Sequence, residues 1–206
     1  MITVGFDLDM TLIDSRPGIA ATFDALSAET GVTVDSALVV SRLGPPLTDE
    51  LANWFPAGEV EAVAARYREL YPGIAVPAVP LLPGVRESIA AIRDHGGTAL
   101  VVTAKFAANA RLHLDHLELV IDAVYGDLWA EGKAKPLIEH KADVYVGDHV
   151  ADVRAAKTAG ALALMVTTGP CAAAELFEAG ADVVLRDLTE FPAWLDGHLR
   201  AERAAS

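Results

Sequence analysis

FDLDMTLID, residues 6–14, closes the first apolar run of the chain with three carboxylates, and its reading decides the fold. The run ITVGF (2–6) has the composition of a buried strand, yet it delivers Asp7 and Asp9 directly at its end. A carboxylate taken out of water is costly unless it is paired, hydrogen-bonded or bound to a metal, so these acids need a partner elsewhere in the chain. Further short apolar runs follow: TALVV (98–102), VIDAV (120–124), DVYV (143–146), ALALMV (161–166) and DVV (182–184). Strands that are apolar throughout are buried on both faces, which predicts a parallel sheet covered by helices. Between them Val85, Ile89 and Ile92 fall on one helical stripe, as do Phe106, Ala110 and Leu114. The alternation reads as a doubly wound α/β fold.

One interval departs from it. About ninety residues separate the first strand from TALVV, against the roughly 10–15 of an ordinary crossover. Residues 16–30, 35–43, 46–55 and 59–71 carry helical patterns, and PAVPLLPG (77–84) reads as the return connection. We therefore expect a small all-helical domain over 16–81, inserted into an α/β core made of 1–15 and 82–206. Phe191, Trp194, Leu195 and Leu199 mark core contacts of a last helix, and the tail AERAAS (201–206) reads as loose.

Composition narrows the function classes. The chain has 206 residues, 29 acidic against 16 basic side chains and a formal net charge of -13. It shows no run of Lys or Arg able to track a phosphate backbone, so a nucleic-acid partner is not expected. Cys171 is the single cysteine, which leaves no internal disulfide and no multi-cysteine zinc site. MITVGFDLD carries no basic leader, and no apolar segment approaches the ~20 residues of a membrane span. The expectation is a cytoplasmic protein without a membrane partner; oligomeric state is not legible.

In a parallel sheet, ligands bind beyond the carboxyl ends of the strands, where Asp7 falls. A spacing of two keeps Asp7 and Asp9 on one side of an extended chain, where one could serve as nucleophile and the other as proton donor; both could instead cap a turn. In VYVGDHVAD (144–152) a second strand runs into Asp148, with Asp152 one helical turn on. Carboxylates from separate strand ends suit Mg²⁺, although Asp is also a favoured helix cap. VVTAK (101–105) ends another strand in Thr103, and GKAKP (132–136) brings Lys133 and Lys135 ahead of a helix start. A hydroxyl, a backbone amide and an ammonium at strand ends make a phosphate cradle.

Together these elements strongly resemble the haloacid dehalogenase superfamily of phosphohydrolases across almost the whole chain. DLDMTLIDS (7–15) is similar to the family's first motif, VVTAK to the second, the lysine near 133 to the third, and VGDHVADVRAAKTAGA (146–161) to the fourth. The helical insertion resembles the C1 cap, and SRLGPPLTDEL (41–51) resembles the cap of the phosphoglycolate phosphatase-like branch. The resemblance implies a nucleophile at Asp7 and an acid–base at Asp9. It implies Mg²⁺ held by Asp7, the Asp9 carbonyl and Asp148 with Asp152 in support, and a phosphoryl cradle of Thr103, Ala104 and Lys133, with Lys135 in reserve. The substrate would be a small phosphorylated metabolite, either phosphoglycolate-like or sugar-phosphate-like.

Met10 stands where that branch usually has glycine, which changes the pocket wall. Arg42 and Gly44 are candidate cap contacts with substrate. Lys105 reads either as a substrate contact or as an exposed lysine at a helix start. His149 is expected to line the pocket, His95, His113, His116, His140 and His198 to sit on helix surfaces or ends, and Cys171 to be a small packing residue. A phosphohexose mutase keeps Asp9 and stays open as an alternative, as does a non-catalytic phosphate-binding protein.

Overall fold

The computed structural model describes residues 1–205. Six parallel strands form one sheet: β1 (Thr3–Phe6), β2 (Thr98–Val102), β3 (Ala123–Tyr125), β4 (Val144–Gly147), β5 (Leu162–Val166) and β6 (Val183–Leu185), in the order β3-β2-β1-β4-β5-β6. Val4 pairs with Ala99 on one side and with Val144 on the other, which puts β1 in the middle. The chain builds outward from β1 in one direction, then crosses to β4 and builds in the other. The carboxyl edge between β1 and β4 is therefore the topological switch point, where such sheets bind ligands.

The continuous apolar runs are explained by burial from both sides. Val144 and Val146 join one apolar cluster with Ile89, Ile92, Leu114, Phe191 and Leu195, drawn from α5 (Val85–Asp94), α6 (Ala107–His116) and α10 (Phe191–Ala205). Tyr145, pointing the opposite way, joins a second with Leu137, Val153, Ala156 and Leu176, from α7 (Ala134–Glu139), α8 (Val150–Ala159) and α9 (Ala173–Glu178). Alternate residues of one strand thus face different helical layers, as the period of two requires.

Between β1 and α5 lie α1 (Arg16–Thr30), α2 (Ser36–Ser41), α3 (Leu47–Leu51) and α4 (Val60–Ile74). Their apolar residues, among them Phe23, Leu26, Leu51, Phe55, Tyr67 and Tyr71, form a third cluster. Two chain segments join this helical insert to the sheet and are tied side by side. Asp14 N–H donates to the Pro80 carbonyl at 3.0 Å, and Leu82 N–H to the Leu12 carbonyl at 3.0 Å.

Several expectations are corrected. VIDAV overlaps the third strand only at Ala123 and Val124, since β3 runs from Ala123 to Tyr125; Asp122 stands just ahead of it, its N–H donating to the Ala99 carbonyl at 2.9 Å while its carboxylate accepts the Ala99 N–H and pairs with Arg93. Phe106 does not share the stripe of Ala110 and Leu114; it sits ahead of α6 and is 40% exposed. His113 is not on a surface but fully buried, with Nε2 3.0 Å from the Tyr71 hydroxyl. The tail is helical through Ala205, and Ser206 lies outside the described residues. Among the described residues no helix is long and apolar enough to cross a membrane.

Candidate active site

β1, β2 and β4 each end in a side chain that chemistry can use. Asp7 follows β1, its N–H still bonded to the Val146 carbonyl at 2.8 Å; Thr103 follows β2, and Asp148 follows β4. Parallel pairing sets all three at the same edge. One carboxylate oxygen from each of Asp7, Asp148 and Asp152 lies within 4.8 Å of the others. Asp148 does not cap α8, since His149 takes that place: its Nδ1 accepts the Ala151 N–H while Asp152 accepts the His149 N–H. That leaves the Asp148 carboxylate free to face the cluster, where the Thr11 hydroxyl donates to it at 3.0 Å. Gly169 makes the approach possible, because a Cβ there would stand 1.8 Å from Asp148 Oδ2.

Lys133 supplies the countercharge. It is fully buried, with Nζ 2.8 Å from Asp7 Oδ2 and 2.7 Å from Asp152 Oδ1. Burial alone would lower its pKa, but the two carboxylates outweigh it and hold the ammonium charged. Burial raises Asp7 to about 6 even with Lys133 beside it, and burial next to Asp152 and Asp7 pushes Asp148 well above the usual carboxylate range. Three carboxylates cluster beside one ammonium that pairs with two of them. The excess negative charge and the hard oxygen donors are what a small divalent cation would balance. Lys135 has another setting: it is 83% exposed and 4.0 Å from Glu139.

Asp9 has a separate partner. Lys105 Nζ lies 2.9 Å and 3.1 Å from its two carboxylate oxygens. Burial would raise the Asp9 pKa, but Lys105 brings it below the ordinary value. Lys105 is thus neither exposed nor aimed at solvent; its side chain is 7% exposed and its ammonium stands 4.6 Å from the Tyr71 ring centre. Sequence reasoning missed this pairing, since Asp9 and Lys105 are 96 positions apart.

The edge opens into a cavity of about 290 Å³ between sheet and helical insert. Asp7, Asp9, Met10, Thr103, Ala104 and Asp148 line its floor, whereas Lys133 and Asp152 are buried beside Asp7 without facing it. Met10 adopts φ 58, a left-handed backbone that favours glycine, and its buried side chain forms part of the wall. Gly44 also lines the cavity and packs against the His149 ring, which in turn lies 5.3 Å from Trp129. Arg42 is not in the wall. Its guanidinium is forked onto Glu50 at 2.6 Å and 2.8 Å and lies over Trp54, so it is already committed. Two further wall residues are Arg68, which nothing in its local pattern marks, and Phe106, which the sequence suggested as a helix contact and not as part of a site. Cys171 is half-buried, and burial raises its pKa.

A doubly wound sheet that gathers acids and a buried lysine at its switch point, beneath a helical insert, is a site able to hold a divalent cation and an anionic substrate. A model of the family "Haloacid dehalogenase-like hydrolase" matches residues 4–166. A probable phosphatase, IndB, of Dickeya dadantii is 28% identical over 205 residues, covering 90% of this chain and 89% of that protein. A phosphoglycolate phosphatase of Xylella fastidiosa is 29% identical over 187 residues, covering 81% and 80%. A haloacid dehalogenase-like hydrolase from Streptococcus pneumoniae shares the fold, with a TM-score of 0.82 over 95% of this chain and 98% of that one at 24% identity. The chain belongs to the haloacid dehalogenase-like hydrolase family, and it is a phosphatase-type enzyme of that family.

Proposed function

We propose that this enzyme is a Mg²⁺-dependent phosphatase that hydrolyses a small phosphate monoester through an aspartyl phosphate on Asp7. The observation that carries the reading is the pair Asp7 and Asp148 at the floor of the cavity, with Lys133 and Asp152 buried behind Asp7. Residues 16–81 act as the cap and residues 1–15 with 82–206 as the core, a division supported by the separate apolar cluster of the helical insert. The Asp7 and Asp148 carboxylates and the Asp9 carbonyl would hold the ion, with Asp152 in support. When bound, Mg²⁺ supplies charge neutralisation between the Asp7 carboxylate and the phosphoryl group.

The Asp7 carboxylate attacks phosphorus, forming a P–O bond as the bond to the leaving oxygen breaks. Lys133 holds Asp7 in place, and the Thr103 hydroxyl and the Ala104 N–H donate hydrogen bonds to the transferring oxygens, whose charge Lys133 helps to balance. Asp9 gives its proton to the departing alkoxide. Lys105 keeps Asp9 anionic in the present arrangement, so an incoming phosphate ester, itself an anion, competes for Lys105 and raises the Asp9 pKa toward the acid form. In the second half, Asp9 takes a proton from water, the water oxygen bonds phosphorus, and the P–O bond to Asp7 breaks to release inorganic phosphate. Asp7→Asn removes the nucleophile. Phosphate release from a panel of small esters that requires Mg²⁺, stops with chelator and is absent in Asp7→Asn supports the reading. A folded, Mg²⁺-binding protein that releases phosphate from none of them overturns it.

A further inference from the structure

We propose that Arg68, on the cap helix α4, recognises an anionic group on the leaving alcohol, so that the preferred substrates are phosphate monoesters carrying a second negative charge. The inference rests on the phosphatase reading and names the substrate class of the same cavity.

Charge is the first argument. In a chain of net charge -13, cations find carboxylates easily, and the other cap arginines have done so. Arg16 pairs with Asp14, Arg42 with Glu50, and Arg66 with Glu29 and Glu69. Arg68 has no carboxylate partner among the described residues, although Glu69 is its neighbour in sequence. Its guanidinium instead rests over the Phe106 ring at 5.3 Å, a core residue immediately after Lys105. Its Nε is shut off from water and has no hydrogen-bond acceptor. A guanidinium stacked on an aromatic face and lacking an acceptor is poised for a planar anion, to which it can donate two parallel hydrogen bonds.

Position is the second argument. Arg68 lines the same cavity as Asp7, Asp9 and Thr103, but from the cap. The phosphoryl end is built wholly from the core, so the cap wall faces what remains of the substrate. The rest of that wall is mostly apolar, with Ile19, Phe23, Val39 and Leu43; Thr48 and Tyr67 add hydroxyls, and its one carboxylate, Glu50, is already held by Arg42. Of the two Lys or Arg side chains in the cavity wall, Lys105 is paired with Asp9, which leaves Arg68 as the one able to meet a second anion. Arg68 could alternatively serve the transferring phosphoryl group itself, and matched substrates separate the two roles.

The test compares kcat/KM for 2-phosphoglycolate, for the bisphosphate of ethylene glycol and for 2-hydroxyethyl phosphate, in which a neutral hydroxymethyl group replaces the carboxylate. The wild-type enzyme is expected to favour at least one anionic ester over the neutral one by about tenfold or more, and whichever wins tells carboxylate from phosphate. Arg68→Gln should collapse that ratio, and Arg68→Lys should keep part of it. A role confined to packing or to the transferring phosphoryl group would slow all three esters alike and leave the ratio intact, which overturns the proposal. So does a wild-type enzyme that hydrolyses all three without preference. Calorimetric binding of the esters to Asp7→Asn protein with Mg²⁺ needs no turnover and separates this proposal from the phosphatase reading. Adding Arg68→Gln should weaken the anionic ester about tenfold relative to the neutral one, and an unchanged preference overturns the assignment even if nothing is hydrolysed.

Discussion

Replacing Lys133 by Met keeps most of the side-chain volume and removes only the charge. In the folded protein the ammonium is fully buried and bridges Asp7 at 2.8 Å and Asp152 at 2.7 Å. Without it, Asp7, Asp148 and Asp152 share one low-dielectric site with no cation. Removing one partner of a buried pair costs about 3–5 kcal/mol, and here two carboxylates lose theirs, which places the cost in the upper part of that range. For a chain of this size, about 2–4 °C of melting temperature per kcal/mol gives a fall of roughly 8–20 °C in metal-free buffer at pH 7.5. The fall should shrink at pH 5, because Asp7, already pushed up to about 6 by burial and higher still without Lys133, then takes up a proton. Lys135→Met is the control. At 83% exposed and 4.0 Å from its partner, that lysine should change stability by less than about 0.5 kcal/mol. Thermal denaturation of both variants at the two pH values decides the matter. A Lys133→Met protein that melts with the wild type at pH 7.5 without metal would refute the reasoning.

Other consequences follow from the same geometry. Mg²⁺ should raise the melting temperature more at pH 7.5 than at pH 5. Asp7 and Asp148 have folded pKa values above that of a free carboxylate, so the stability of their protonated forms fades as pH rises, for Asp7 from about 4 through about 6, and a cation restores it most where they are ionised; an equal shift at both pH values would contradict this. Gly169→Ala sets a Cβ 1.8 Å from Asp148 Oδ2, so Asp148 must move, and Mg²⁺ affinity by calorimetry should fall about tenfold or more; wild-type affinity would count against Asp148 as a ligand. Tyr71→Phe strips buried His113 of its Nε2 partner, and its Nδ1 has none already, so urea denaturation should show a loss of about 1–3 kcal/mol, whereas no loss would mean that the contact adds nothing.

What the sequence disclosed follows from how local each signal is. TALVV reads as a strand because it is apolar throughout, and the structure places β2 at Thr98–Val102. VIDAV misleads only in its start: its aspartate is bonded to β2 through both its N–H and its carboxylate, and the strand runs from the residue after it. The acids at strand ends were legible because an apolar run that stops at Asp needs a partner, and parallel pairing converts separate strand ends into one edge. Lys133 and Lys135 look alike as residues, and only burial against Asp7 and Asp152 sets them apart. The ties between Lys105 and Asp9 and between His113 and Tyr71 span 96 and 42 positions, beyond any local periodicity. Arg42 looked available in sequence because Glu50, eight residues on, comes alongside only when the chain between α2 and α3 turns back.

The central claim is that Asp7 carries the phosphoryl group during turnover. Rapid acid quench of the enzyme with Mg²⁺ and its best ester, followed by peptide mass spectrometry, tests it most directly. The expected result is one added phosphoryl group on the peptide that contains Asp7, present in the first turnover and lost when the peptide is treated with hydroxylamine. Single-turnover phosphate release with no phosphorylated Asp7 at any quench time, or a phosphoryl group on another residue, would contradict the account.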